Sequence, residues 1–137
     1  MIVKYIFQPN NKHLYAVTII AIFMANNHIK RDQAVDTLRT VTPDKALYFY
    51  KAEGQPLGAA SRSFSEFAAT VKGIDPASVM FHVGRGDFES WFRMLGDKSL
   101  AGQVAALRSK KISPEELRAK VSSTVRLRVN ELQKIAE

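Results

Sequence analysis

Residues 81 to 92, FHVGRGDFESWF, gather a histidine, an arginine between two glycines, an aspartate and a tryptophan. His82 and Asp87 are the residue types of an acid-base pair, because imidazole titrates near neutrality and a carboxylate can orient it. No serine, lysine or metal partner stands at a recognisable spacing, so no catalytic residue, metal ligand or cofactor is assigned. Gly84 and Gly86 allow close backbone approach, Arg85 adds a fork of donors, and a helix starting at Asp87 would aim its first amides at the same place. Such a convergence suits an anion. Asp87 works against it, since a capping carboxylate takes those amides and repels a phosphate. The expectation is a capped turn, with His82 bonded to backbone or carboxylate at a sheet end. His82, Arg85, Asp87 and Trp91 are the candidate binding residues.

The elements that must position this stretch can be read outward from it. Phe88, Trp91, Phe92 and Leu95 share one helical face and belong to a core first, with at most one of them a stacking platform. Before them, "DPASVMFHV" reads as a turn at Asp75 and Pro76 followed by a strand over Val79 to Val83. Further upstream, Ala46 to Lys51 is aromatic and β-prone, Ala52 to Gly54 is a turn, and "QPLGAA" returns as an edge strand because Pro56 removes a ladder donor. Ser63 and Glu66 form a capping box for a helix burying Phe64, Phe67, Ala68 and Val71. Downstream, Asp87, Asp97 and Ser113 cap three helices, with Gly96 ending the first and Pro114 opening the last. In that last helix Leu117, Val121, Val125, Leu132 and Ile135 make a stripe. Arg118 and Arg128 interrupt it, which leaves a face open to a partner unless both side chains snorkel over a core edge.

Toward the N-terminus, Ile2 to Phe7 reads as a strand and Leu14 to Ala25 as an apolar run, too short to span a bilayer. Phe23 stands where a signal-peptide cut after Ala25 wants a small residue, so a buried helix or strand is expected. After "NNHIKRD", a second short helix places Ala34, Val35 and Leu38 on one face. A helix-turn-helix is not supported, because the loop lacks its glycine and the second helix carries as much acid as base. Pro43 marks a seam. Residues 1 to 42 form an N-terminal segment and residues 43 to 137 the core domain, which is expected to fold alone because every well-capped element follows Pro43.

The chain has 137 residues, no cysteine and three histidines. Disulfides, thiolate zinc sites and cysteine nucleophiles are excluded, and a reducing compartment fits. The net charge of +7 is diffuse: residues 97 to 137 carry nine basic against five acidic residues, and the rest eleven against eight. Arg108, Lys110, Lys111, Arg126 and Arg128 are the candidates for a basic surface. They lack the interleaved aromatics of a single-strand binder, and Arg108 to Lys111 also end a helix, where positive charge meets the dipole.

The pattern F-H-x-x-R-x-D-F-x-x-W, carried by Phe81, His82, Arg85, Asp87, Phe88 and Trp91 within residues 47 to 100, resembles a family of uncharacterised archaeal and bacterial domains. The resemblance implies identity without an activity, and residues 1 to 42 lie outside it: native domain, accessory segment, or product of an upstream start. The expected fold is α+β, with a small antiparallel or mixed sheet of about three strands, roughly four to six helices and a helical C-terminal half. The expected function is that of a cytoplasmic, non-catalytic protein-interaction module. The rivals are nucleic-acid binding through the basic surface and an anion or small enzymatic site at His82, Arg85 and Asp87.

Overall fold

Nothing between Lys12 and Thr42 is glycine or proline, and in the computed structural model, which describes residues 12–137, the chain begins as one long helix, α1 (Lys12–Thr37). Side chains are described from residue 17 onward, except those of 26–29. The strand expected at Ile2 to Phe7 lies outside the described residues. The two helices expected on either side of "NNHIKRD" are one helix, because asparagine, histidine and aspartate each lower helix propensity by well under about 1 kcal/mol and none of them breaks the chain. Nor are the described side chains of the apolar run buried. Val17, Ile19, Ile20, Ile22, Phe23 and Met24 are all exposed, with Phe23 and Met24 at 64%. Among the described residues no helix is long and apolar enough to cross a membrane.

Among the described residues the buried positions of α1 lie at its C-terminal end, with Ala34 and Thr37 buried, Leu38 packed against the core and Val35 turned to solvent. Beyond it, the Arg39 guanidinium donates to the carbonyls of Leu95 (3.1 Å) and Met94 (3.3 Å), satisfying acceptors left over at a helix end. Val41 is buried and exchanges two bonds with Arg62, N–H to O at 2.8 Å and Nε to O at 2.7 Å. Residues 34 to 41 therefore pack on elements that follow the seam. A chain beginning at residue 30 should keep the melt of the full chain. One beginning at residue 43 should fold but lose about 2 kcal/mol, the burial of Ala34 and Val41 with their bonds; thermal unfolding of the two truncations checks this.

After a single 3-10 turn at Pro43–Lys45 come β1 (Leu47–Ala52) and β2 (Gln55–Ser61), antiparallel, with Leu47 opposite Ser61 and Tyr50 opposite Pro56. Among the described residues the sheet has these two strands. The third expected strand, Val79 to Val83, is part of helix α3 (Pro76–Arg85). Asp75 caps it by accepting from the Ala77 amide at 2.9 Å, Pro76 opens it, and Ser78, Val79, His82 and Val83 are its buried residues. That burial has helical spacing, and a five-residue apolar run cannot reveal it without knowing what lies beneath.

The remaining helices are α2 (Phe64–Val71), α4 (Asp87–Leu95), α5 (Lys98–Ala105) and α6 (Pro114–Ala136). Ser63, Asp97 and Ser113 cap α2, α5 and α6 through the amides of Glu66, Leu100 and Glu116. Glu66 reaches back to the Arg62 amide, one residue earlier than a standard capping box requires. The core joins Phe49 of β1, Phe64 and Phe67 of α2, and Phe88, Trp91 and Phe92 of α4. Ring centroids lie 4.9 Å apart for Phe67 and Phe88 and 5.1 Å for Phe67 and Phe92. Helix α6 closes it with Leu117, Val121, Val125, Val129 and Leu132, while Ile135, expected in the stripe, is 38% exposed. The two arginines that interrupt the stripe are engaged within the domain: Arg118 donates to the Ile74 carbonyl at 2.7 Å and Arg128 pairs with Asp97. The architecture is α+β with a helical C-terminal half, and its last helix is a core element, contacting α1, α2, α3 and α5.

Candidate functional site

His82 is 3% exposed, on the buried face of α3 and in a different element from Asp87, which opens α4. Gly86 joins the two helices at φ +79°, with its amide bonded back to the carbonyls of His82 and Val83. A side chain there is strained by the backbone, and its Cβ would come within 2.8 Å of a Glu89 carboxylate oxygen. Gly84 is not part of a turn; it is a helical residue of α3.

The tight joint brings Asp87 Oδ2 to 2.8 Å from His82 Nδ1. On the other side of the ring, the Tyr50 backbone N–H of β1 donates to Nε2 at 2.8 Å. An amide can only donate, so Nε2 must present its lone pair, and the proton of the neutral ring sits on Nδ1, directed at Asp87. Both nitrogens are then committed. The imidazole bridges the β1 backbone to the α3–α4 joint and cannot take a substrate proton at Nε2 without breaking the strand contact.

Asp87 is not the cap expected of it. The N-cap of α4 is Gly86, without a side-chain bond, and Asp87 is the first helical residue. Its carboxylate, partly open to solvent, faces His82 and the Arg85 Nε at 3.4 Å. Arg85 itself is half exposed and lies over the Phe81 ring, 5.0 Å from its centroid. Glu89, also in the first turn of α4, pairs with Arg93 and Arg108. Two carboxylates thus occupy the positive end of the α4 dipole, and the cations around it are spent on them. An incoming anion would meet this charge.

Trp91 is 6% exposed and its indole N–H donates to the Lys45 carbonyl at 2.8 Å, so the ring is a core wall tied to the start of β1. His82, Arg85, Asp87 and Trp91 all line one open cleft of about 590 Å³, together with Tyr48, Tyr50, Glu53, Phe81 and Met94. Of the basic candidates, Arg108 donates to the Val83 carbonyl at 3.0 Å and pairs with Glu89, and Arg128 pairs with Asp97 at 2.5 Å. That pairing, with its hydrogen bond to Asp97, holds the Arg128 guanidinium above its ordinary pKa against the opposing effect of burial. Lys110, Lys111 and Arg126 are exposed. Among the described residues no group of three or more histidine, aspartate or glutamate side chains could hold a metal.

No protein family, curated protein or solved structure matches this chain. Two features carry surface chemistry that the sequence reading passed over. One is the uncovered apolar length of α1. The other is a basic concavity formed by Lys72, Arg118 and Arg126. The signal for the second was present in the spacing of residues 118, 122 and 126, which share a helical face.

Proposed function

We propose that this chain is a non-catalytic protein-interaction module that assembles through α1, and that its first partner is a second copy of itself. The observation that carries this reading is the exposure of Val17, Ile19, Ile20, Ile22, Phe23 and Met24 on a helix that the rest of the described chain leaves uncovered. Together these side chains leave on the order of 500 Å² of apolar surface, at the upper end of what a monomer commonly presents in one patch. These positions span more than half of the helix circumference, so two copies laid side by side cover only part of that area on each, and the pairing is a small, concentration-dependent one. A two-fold axis needs only one self-complementary surface, and this one is unbroken by charge from Val17 to Ala25. Most helical stability in proteins comes from packing of an apolar face, so covering this one also supports the helix itself.

Two further points favour this reading over its rivals. The commitment of Arg108 and Arg128 to Glu89 and Asp97 removes two of the five residues on which a nucleic-acid surface would depend. The commitment of both His82 nitrogens argues against acid-base chemistry. A cytoplasmic location, in line with the absence of cysteine, and membership of the prokaryotic domain family suggested by the Phe81 to Trp91 pattern belong to the same proposal.

Sedimentation of the full chain over a concentration series tests it. The parent should convert from monomer to dimer, and a variant with both Ile20→Glu and Phe23→Glu should stay monomeric, because each copy would have to bury uncompensated charge, while melting cooperatively as the dilute, monomeric parent does. A parent that stays monomeric and soluble throughout the series would overturn the proposal.

A further inference from the structure

Three cations that no ion pair engages among the described residues meet in one place. Lys72, just after α2, and Arg118 and Arg126 of α6 line a concavity of about 290 Å³ together with Glu115, Ser122 and Ser123, the last of which donates its hydroxyl to the Lys120 carbonyl at 3.2 Å. Helix α6 presents Glu115, Arg118, Ser122 and Arg126 at intervals of three and four, so they lie along one face. The end of α2 approaches that face because Phe64, Phe67 and Val71 pack against the α6 stripe.

Elsewhere the arginines are used internally. Arg39 and Arg62 hold backbone carbonyls, and Arg85, Arg93, Arg108 and Arg128 each face a carboxylate. Here no ion pair restrains Lys72 or Arg126 among the described residues, and Arg118 uses one guanidinium nitrogen on the Ile74 carbonyl while its other donors stay available. That bond fixes the Arg118 fork in place at the wall of the concavity. The result is three positive charges against the single carboxylate of Glu115, with the Ser122 hydroxyl beside a planar fork. This combination matches an oxyanion of tetrahedral shape, since guanidinium donors pair two oxygens at once while ammonium and hydroxyl groups adapt to the others.

We infer that the Lys72, Arg118 and Arg126 concavity binds a phosphoryl group, as the free dianion or as the monoester of a small molecule. The volume exceeds what a phosphate alone needs, which leaves room for a carrier, and Glu115 is placed to accept a hydroxyl from it. The concavity is separate from the cleft beside His82 and from the apolar face of α1, so it stands or falls independently of assembly.

Calorimetric titration of the full chain with inorganic phosphate and with glycerol phosphate tests the site. Saturable binding is expected, with each of Arg126→Gln and Lys72→Gln weakening it about tenfold, the usual order for a lost charge-assisted bond. Tighter binding of glycerol phosphate than of phosphate would assign the monoester, and equal binding the free ion. The double variant Lys110→Gln, Lys111→Gln removes one charge more than either test variant, which makes it a stringent control for diffuse charge, and it should bind as the parent does. Arg118 is left intact because it also holds the fold, and unchanged melts of the other variants keep the reading on the ligand. Absence of saturable binding would overturn the inference. So would an equal loss in the control, or binding confined to polynucleotides with a steep logarithmic salt dependence, since either would mean diffuse charge.

Discussion

Replacing His82 by alanine is expected to cost about 3 kcal/mol of stability, because three separate losses coincide. The Tyr50 amide loses its acceptor inside the domain, and an unsatisfied buried donor costs about 1–3 kcal/mol. The ring also leaves a void beside Phe49 and Phe88, whose centroids lie 6.1 Å and 5.2 Å from its own. Asp87 loses its bond as well, although water reaches its partly open carboxylate and softens that loss. Arg85→Ala is the contrast. Its side chain is 55% exposed and its pair with Asp87 is a surface one, so the change should stay within about 0.5 kcal/mol. Denaturant unfolding of both variants decides the matter. A His82→Ala protein as stable as the parent would remove the bridging role and return the His82–Asp87 pair to consideration as chemistry.

The same histidine shows what could be read from the chain and what could not. That His82 would be bonded to backbone or carboxylate was legible, because it lies five residues from an aspartate across a glycine. Its second partner was not, since Tyr50 is distant in sequence and α3 had to be a helix to present the ring. Helix caps were legible at Ser63, Asp97 and Ser113, where the signal is a short side chain beside amides that need an acceptor. At Asp87 the same local signal misled, because a histidine one helix earlier competes for the carboxylate. Local patterns also failed over Val79 to Val83, where an apolar run suits either a strand or a helix until its neighbours are known. For α1 the expectation that an apolar run is buried fails, since Val17 to Met24 carry six large exposed apolar side chains. Charges followed the same division: their sign could be read, but Arg108 and Arg128 turned out to be paired with Glu89 and Asp97 from other elements.

The pair formed by Asp97 and Arg128 sets the second large effect, and there the single changes should be far more damaging than the double one. Asp97 is 2% exposed and does two things at once: Oδ1 accepts from the Leu100 amide at 3.0 Å to cap α5, and Oδ2 accepts from Arg128 Nε at 2.5 Å. Asp97→Ala removes a cap, worth about 1 kcal/mol, and leaves a largely buried guanidinium without its main partner. Breaking a buried pair from one side typically costs about 3–5 kcal/mol. The lower end applies here, because Arg128 keeps Glu131 at 3.1 Å and some access to water. Arg128→Met should cost less than Asp97→Ala, since the carboxylate left behind still has the Leu100 amide and the positive end of the α5 dipole. With both changes together the guanidinium is gone, the methionine fills its path between α5 and α6, and mainly the lost cap remains. The double variant should therefore sit within about 1–2 kcal/mol of the parent, a coupling that unfolding measurements on all four proteins would reveal. Strict additivity of the two single losses would mean that the pair is not the join between α5 and α6. Arg128 would then count again among the cations available at the surface.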